Sequence, residues 1–228
     1  MLFRSNPVIG LVSQAHRGVL FMDEAPEFAS NVLDALRQPL ESGTVTLSRK
    51  TFSLELPAQF QLILAANPCP CGLALDPRGA CRCTPMQRRR YLMRISGPLM
   101  DRIDIRMVVS SPSVIDFDPG GQIPESSSEI RQRVLAARER ALYRLRETPW
   151  VTNSDVPGTA LRELFPLAPA LARDLASVLT GGRLSARGMD RVARVAWTVA
   201  DLADAAAPTA DHVQEALALR DSENQWPS

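Results

Sequence analysis

The chain has 228 residues, 45% of them hydrophobic and 22% charged, and carries a formal net charge of +1. This is a globular composition that excludes disorder along the whole chain, and the near-neutral charge excludes a global field pulling the protein onto nucleic acid or anionic lipid. No apolar run approaches the ~18 residues of a membrane span, and none opens the chain as a signal peptide would, so the expectation is a cytoplasmic protein with no membrane partner. Lys50 is the sole lysine. The arginine bias, with abundant alanine, reads most simply as GC-rich coding.

In chain order, Gly18–Asp23 is an apolar run ending in an acid and predicts a buried parallel strand. Residues 28–40 place Val32, Leu33, Leu36 and Leu40 at helical spacing, with Gly43 as the stop. Thr44–Leu47 and Phe52–Leu56 alternate around a polar turn and predict a hairpin. Gln61–Ala66 is a second buried strand, running into Asn67. Pro85–Ile95 predicts a basic helix, and Ile103–Val109 a third strand.

Residues 110–128 are rich in Ser, Pro, Gly and Asp and read as a linker. Beyond them the pattern is helical. Ser126 and Glu129 have capping-box spacing before a helix with Ile130, Val134, Ala137, Ala141 and Leu145 on one face. Residues 168–180 form a helix closed by Gly181-Gly182, residues 185–205 carry Met189, Val192, Ala196, Val199 and Leu202 on one stripe, and 209–219 close the series. The expected organisation is an α/β part over 1–110, a linker over 111–127, and a helical part over 128–222.

A strand ending in Asp23-Glu24 sets two carboxylates at the carboxyl edge of a parallel sheet, where open α/β sheets bind ligands. Phosphoryl transfer needs one acid for the Mg²⁺ shell and one base to orient water, which would be Asp23 and Glu24 in turn. The same pair also reads as a solvated acidic turn. Asn67 could hold that water, or simply form a turn before Pro68. Arg102 could serve a neighbouring subunit as a finger, or form a surface ion pair with Asp101 or Asp104. Arg187 could contact a bound γ-phosphate from the lid side, or be an exposed residue in the first turn of a helix, where positive charge is mildly unfavourable.

The four cysteines, Cys69, Cys71, Cys81 and Cys83, fall in one short loop. A disulfide scaffold spreads its cysteines, whereas two close pairs with turn residues between them suit a tetrahedral structural Zn²⁺. Ca²⁺ and Mg²⁺ want oxygen ligands. The alternative is four free or redox-paired thiols. Arg88, Arg89, Arg90 and Tyr91 follow and could grip a nucleic-acid backbone and stack a base, form a solvated helix face, or turn the arginines to a neighbouring subunit. His16 and His212 lie apart from the cysteines and read as ordinary turn or helix residues. Trp197 reads as core.

Taken together, these stretches resemble the magnesium-chelatase-like AAA+ ATPases of the ComM/YifB competence-protein family. The resemblance runs from Ala15 to Phe28 through Leu36–Gly43, Ala66–Gly72, Cys81–Pro85, Ile95–Asp104 and Leu184–Gly188. It implies an AAA+ P-loop-NTPase-like parallel sheet followed by a helical lid. It also implies Walker B acids at Asp23 and Glu24, sensor 1 at Asn67, the arginine finger at Arg102 and sensor 2 at Arg187. ATP and Mg²⁺ are the implied cofactors, with Asp23, Asn67 and Arg187 facing the nucleotide and Asp23 the magnesium. The implied assembly is a homo-oligomeric ring moving on DNA, with the 44–56 hairpin as the insert that faces the pore in related motors.

One departure stands out. No Gly-x-x-x-x-Gly-Lys-Ser/Thr occurs, and Lys50 has no such glycine frame. A P-loop supplies the amides and lysine that cradle the β- and γ-phosphates. The expectation is therefore an incomplete AAA+ core from a truncated or split gene, with little ATP turnover alone and a companion chain carrying the P-loop. Two other readings stay open: a zinc-stabilised, DNA- or partner-binding pseudo-ATPase, and a magnesium-chelatase-type motor subunit.

Overall fold

The computed structural model describes residues 9–49, 52–75, 79–109, 125–180 and 185–220. The chain divides into two compact units, one built on residues up to Ile103 and the other running from Asp104 to Gln225.

The first unit is α/β. After a one-turn helix, α1 (Leu11–Gln14), strand β1 (Val19–Met22) pairs in parallel with β4 (Gln61–Leu64), Met22 lying opposite Leu64. Between them come α2 (Ser30–Ala35), α3 (Arg37–Ser42) and the antiparallel hairpin of β2 (Thr44–Arg49) and β3 (Phe52–Pro57). The single helix expected over 28–40 is two, because the turn at Leu36 closes one and opens the next. Gly43 ends α3 at φ +70°, where a side chain would also press on Gln59, so glycine is required twice over. Two further helices follow, α4 (Pro85–Leu92) and α5 (Gly97–Met100).

Alternation along β1 and β4 turns one sheet face to a core of Met22, Ala25, Leu33, Leu36, Ile95 and Leu99, with Leu20, Leu62 and Leu64 packed against it. Burying a side chain such as Leu33 contributes about 2 kcal/mol. The other face leaves Val19, Phe21 and Ile63 exposed. The strands expected to be buried on both faces are thus buried on one. The third strand expected over 103–109 does not form. No described strand lies beside it, and the Arg106 N–H donates instead to the Leu219 carbonyl at 2.7 Å. An alternating pattern becomes a strand only where an edge is available to pair with.

The second unit is helical: α6 (Ser127–Leu145), α7 (Gly158–Leu164), α8 (Pro169–Thr180), α9 (Ala186–Leu202) and α10 (Ala210–Arg220). The expected capping box is present, with Ser126 accepting from Glu129 N–H and the Glu129 carboxylate accepting from Ser126 N–H at 2.7 Å. Of the expected α6 stripe, Ala137, Ala141 and Leu145 are buried, whereas Ile130 and Val134 are exposed. Helix α9 serves two cores. Val192, Val195, Ala196 and Val199 pack with Leu175, Val213 and Ala216, while Trp197 packs with Leu145, Val156 and Leu161. The expected 110–128 linker and the Gly181-Gly182 stop fall almost wholly outside the described residues.

Polar groups in this unit are tightly matched. Asp201, 2% exposed, accepts from both terminal nitrogens of Arg144 at 2.5 and 2.7 Å and from Asn153 at 2.9 Å. The Arg144 guanidinium lies 4.3 Å from the Trp197 ring centre, and Trp197 Nε1 donates to the Phe165 carbonyl. His212 Nδ1 accepts from Thr209 N–H, and in the first unit His16 Nδ1 accepts from Gln59 N–H; both histidines do structural work.

Candidate functional site

Parallel pairing decides the site's geometry. Because Met22 faces Leu64, the residues after each strand emerge side by side at the carboxyl edge. The two turns are stitched together: Ala65 N–H donates to the Met22 carbonyl at 2.9 Å and Ala25 N–H to the Ala65 carbonyl at 2.8 Å. Asp23, Glu24 and Asn67 are all exposed on this shared edge.

Asp23 Oδ1 accepts from Glu24 N–H at 2.9 Å, which fixes the carboxylate by one oxygen. One exposed carboxylate on a rigid edge suits Mg²⁺, which is commonly held by one or two acids together with waters and phosphate oxygens. Glu24 sits in the left-handed region at φ +50°, ψ +44°. A non-glycine residue there costs roughly 1–2 kcal/mol, a strain that clusters at working sites. Glycine would adopt this turn freely, so the structure retains a carboxylate against local preference.

Two further residues frame these turns: Arg94, which the sequence reading did not single out, and Tyr91, which it read as a stacking aromatic. Arg94, just beyond α4, donates to the Pro26 carbonyl at 2.9 Å and to Glu27 Oε2 at 3.0 Å. Tyr91 is buried, and burial together with the Glu27 and Glu24 charges pushes its phenol up, against the pull of Arg94 and of a hydrogen bond from the Asn67 backbone. Its burial rules out the expected base stacking. Only the three-residue spacing of Tyr91 and Arg94 on a helical face hinted at a shared target. Exposed Arg89 and Arg90 instead share the surface of α4 with Met86 and Met93, along a groove of about 360 Å³.

Arg102 is held within its own unit. Its guanidinium donates to the Pro98 carbonyl at 2.7 Å and pairs with Glu41 on α3. Arg102 thus does form an ion pair, with Glu41, while Asp104, one of the two acids expected as its partner, pairs with Arg191 of α9. Arg187 belongs to the second unit and is exposed at the second position of α9.

The four cysteine sulfurs all lie within 4.8 Å of one another. Cys69 and Cys71 Sγ are 3.3 Å apart, Cys69 and Cys81 3.7 Å, and Cys71 and Cys81 3.6 Å. A regular tetrahedron with Zn–S bonds of ~2.3 Å has edges of roughly 3.8 Å, so the sulfurs stand nearly where zinc needs them and too far apart for a disulfide. Crowding splits their acidities. A hydrogen bond from the Leu73 backbone leads in lowering Cys71 to about 6, while the hydrogen bond to Cys71 leads in raising Cys83 to about 11. Thiolates gathered without a cation resist ionising together.

Two family models cover most of the chain. Residues 4–116 match magnesium chelatase, subunit ChlI, and residues 124–220 match the ChlI C-terminal model. An uncharacterized protein of Mycobacterium tuberculosis is 46% identical over 92% of this chain. YifB of Escherichia coli is 40% identical, and competence protein ComM of Haemophilus influenzae 37% identical, each over 94% of it. In all three the match spans 41% of the relative's length. The α/β unit with its parallel strand pair, the helices that follow, and these matches over nearly the whole chain agree: the chain belongs to the magnesium-chelatase-like AAA+ family that includes ComM and YifB.

Proposed function

We propose that this chain is the Walker B-to-lid portion of a AAA+ ATPase that acts on DNA, the helical unit serving as the lid. The observation that carries this reading is the stitched edge where Asp23, strained Glu24 and Asn67 emerge together. Asp23 would hold Mg²⁺, Glu24 would take the proton from the attacking water, and Asn67 would fix that water's position. Arg102 would reach a neighbouring nucleotide after leaving Glu41, and Arg187 would approach the γ-phosphate from the lid. ATP supplies the phosphoryl group that the water attacks.

The residues fit the magnesium and water side of the reaction. The phosphate cradle is not in this sequence, which has no P-loop motif, so a P-loop elsewhere in a longer protein or in a companion chain completes the site. Assembly into a homo-oligomeric ring would bring Arg102 to that neighbour. Zn²⁺ would be held by Cys69, Cys71, Cys81 and Cys83 as a structural ion, because four protein ligands leave no open position. The likeness to ComM and YifB favours DNA over a tetrapyrrole substrate, and exposed Arg89 and Arg90 supply a local basic surface on a chain of net charge +1.

The test is Mg²⁺–ATP binding by calorimetry, with hydrolysis assayed on the same sample. The chain alone should show little of either. Together with a P-loop-bearing segment it should hydrolyse ATP, and Glu24→Gln should abolish turnover while sparing binding. Normal turnover by that variant in the restored complex would overturn the assignment of the base.

A further inference from the structure

The cysteine cluster touches the catalytic edge along two routes. By the short one, Cys69 lies two residues past Asn67. Gly72, whose N–H donates to the Cys69 carbonyl at 2.9 Å, backs onto the Asn67 side chain, so that a Cβ there would stand 4.0 Å from Asn67 Cγ. At φ +77° Gly72 also takes a turn few other residues tolerate. By the long route, Cys83 leads directly into Thr84, the cap of α4, which exchanges bonds of 3.3 and 2.8 Å with Gln87. The far end of α4 then returns to the edge. Tyr91 is buried, with its phenol near enough to the Asn67 backbone to feel it, and Arg94 donates to the Pro26 carbonyl, two residues past Glu24.

We propose that the metal-bound cysteine cluster and α4 form one brace that fixes Asn67 and the Asp23–Glu24 turn relative to each other, with Tyr91 and Arg94 as its positioning residues. The inference rests on the ATPase reading for what the brace serves. Ala25 anchors the first turn in the core, but Asp23, strained Glu24 and Asn67 themselves are exposed, so their positions depend on further supports. A group that places water must be fixed to within ~0.5 Å. A metal held by both cysteine pairs ties Cys69 and Cys71 to Cys81 and Cys83, and anchoring the start of α4 at a ligand passes that constraint to Tyr91 and Arg94. The ion supplies no chemistry to the reaction here; it sets positions.

Amide hydrogen exchange on the purified, zinc-loaded chain tests this, with residues 22–29 and 64–72 as reporters and β2–β3, α6 and α9 as controls. Chelation should speed exchange about tenfold in both reporters and leave the controls unchanged. Arg94→Gln should keep its zinc, speed exchange in 22–29 to a similar degree, and remove the response of that segment to chelation. Arg94→Lys, which keeps a donor and a charge, should restore protection. Tyr91→Phe should loosen 64–72 alone. Four results would overturn the proposal: a chain purified in reducing buffer without stoichiometric zinc, a 22–29 segment indifferent to metal, a rise in exchange across the controls, or Arg94→Gln behaving as wild type. Because exchange reads no nucleotide, a restored complex that fails to hydrolyse ATP would sink the ATPase reading and leave the brace standing.

Discussion

The two units handle polar groups in opposite ways. In the helical unit one buried acid is turned inward and matched: Asp201 is held by Arg144 and Asn153, with Trp197 stacked on the guanidinium. In the α/β unit the charges that matter stand at the surface. Asp23, Glu24 and Asn67 are exposed, Glu24 is strained, and an apolar sheet face with Val19, Phe21 and Ile63 lies open. Groups consumed by folding are unavailable for chemistry. A unit that keeps its acids ready must take its rigidity from elsewhere, and four clustered cysteines beside Asn67 offer such a source.

The sharpest way to break the contrast is to remove that source. Cys69→Ser should abolish zinc binding and cost the first unit roughly 5 kcal/mol. Elemental analysis together with hydrogen exchange checks both at once. If zinc goes and stability stays, the α/β unit needs no staple.

Next comes Asp201→Ala in the helical unit. It leaves Arg144 partly buried without its main carboxylate, at a cost of about 3–5 kcal/mol. Trp197 fluorescence during urea denaturation follows this unit, and the first unit should melt as before.

A smaller change of opposite sign is expected at the Asp23–Glu24 turn. Glu24→Gly relieves the left-handed strain and should stabilise the first unit by about 1 kcal/mol, while removing the proposed base. Denaturation midpoints decide it. A loss of stability would mean that the carboxylate is structural.

The smallest effect is at the start of α6. Hydrogen bonds from the Ser126 hydroxyl, then from its backbone N–H, hold the Glu129 carboxyl below its ordinary value of 4.5. Its folded-state pKa is depressed, so this contribution is fully present above 4.5 and is lost as pH falls through the lower folded value. Helicity followed by circular dichroism in acid should drop in Glu129→Gln less steeply than in wild type.

Much of this was readable in the chain. Capping chemistry is local, so Ser126 with Glu129 and the Gly43 stop were visible from spacing. The hairpin and both parallel strands were visible from alternation and apolar runs. The cysteines announced a cluster by proximity alone. The misses share one cause. The 103–109 segment has a strand's pattern without a neighbour, Ile130 and Val134 have a core stripe's spacing without a core, and Tyr91 reads as a stacking aromatic while facing inward. Each depends on what lies opposite, and pattern is silent about that.

The sequence by itself therefore determined the residue types and their local geometry: two acids after an apolar strand, an asparagine after another, and four thiols in one loop. Tertiary structure alone decided which of these meet. Parallel pairing of β1 with β4 set Asp23, Glu24 and Asn67 on one edge, and the path of α4 delivered Arg94 to Pro26 and Tyr91 to Asn67. The physical reason is range. Caps, turns and helical faces are fixed by neighbours a few residues away, whereas the partners of Arg94, Arg102 and Asp201 are brought within hydrogen-bonding distance only when distant segments bury their apolar faces together.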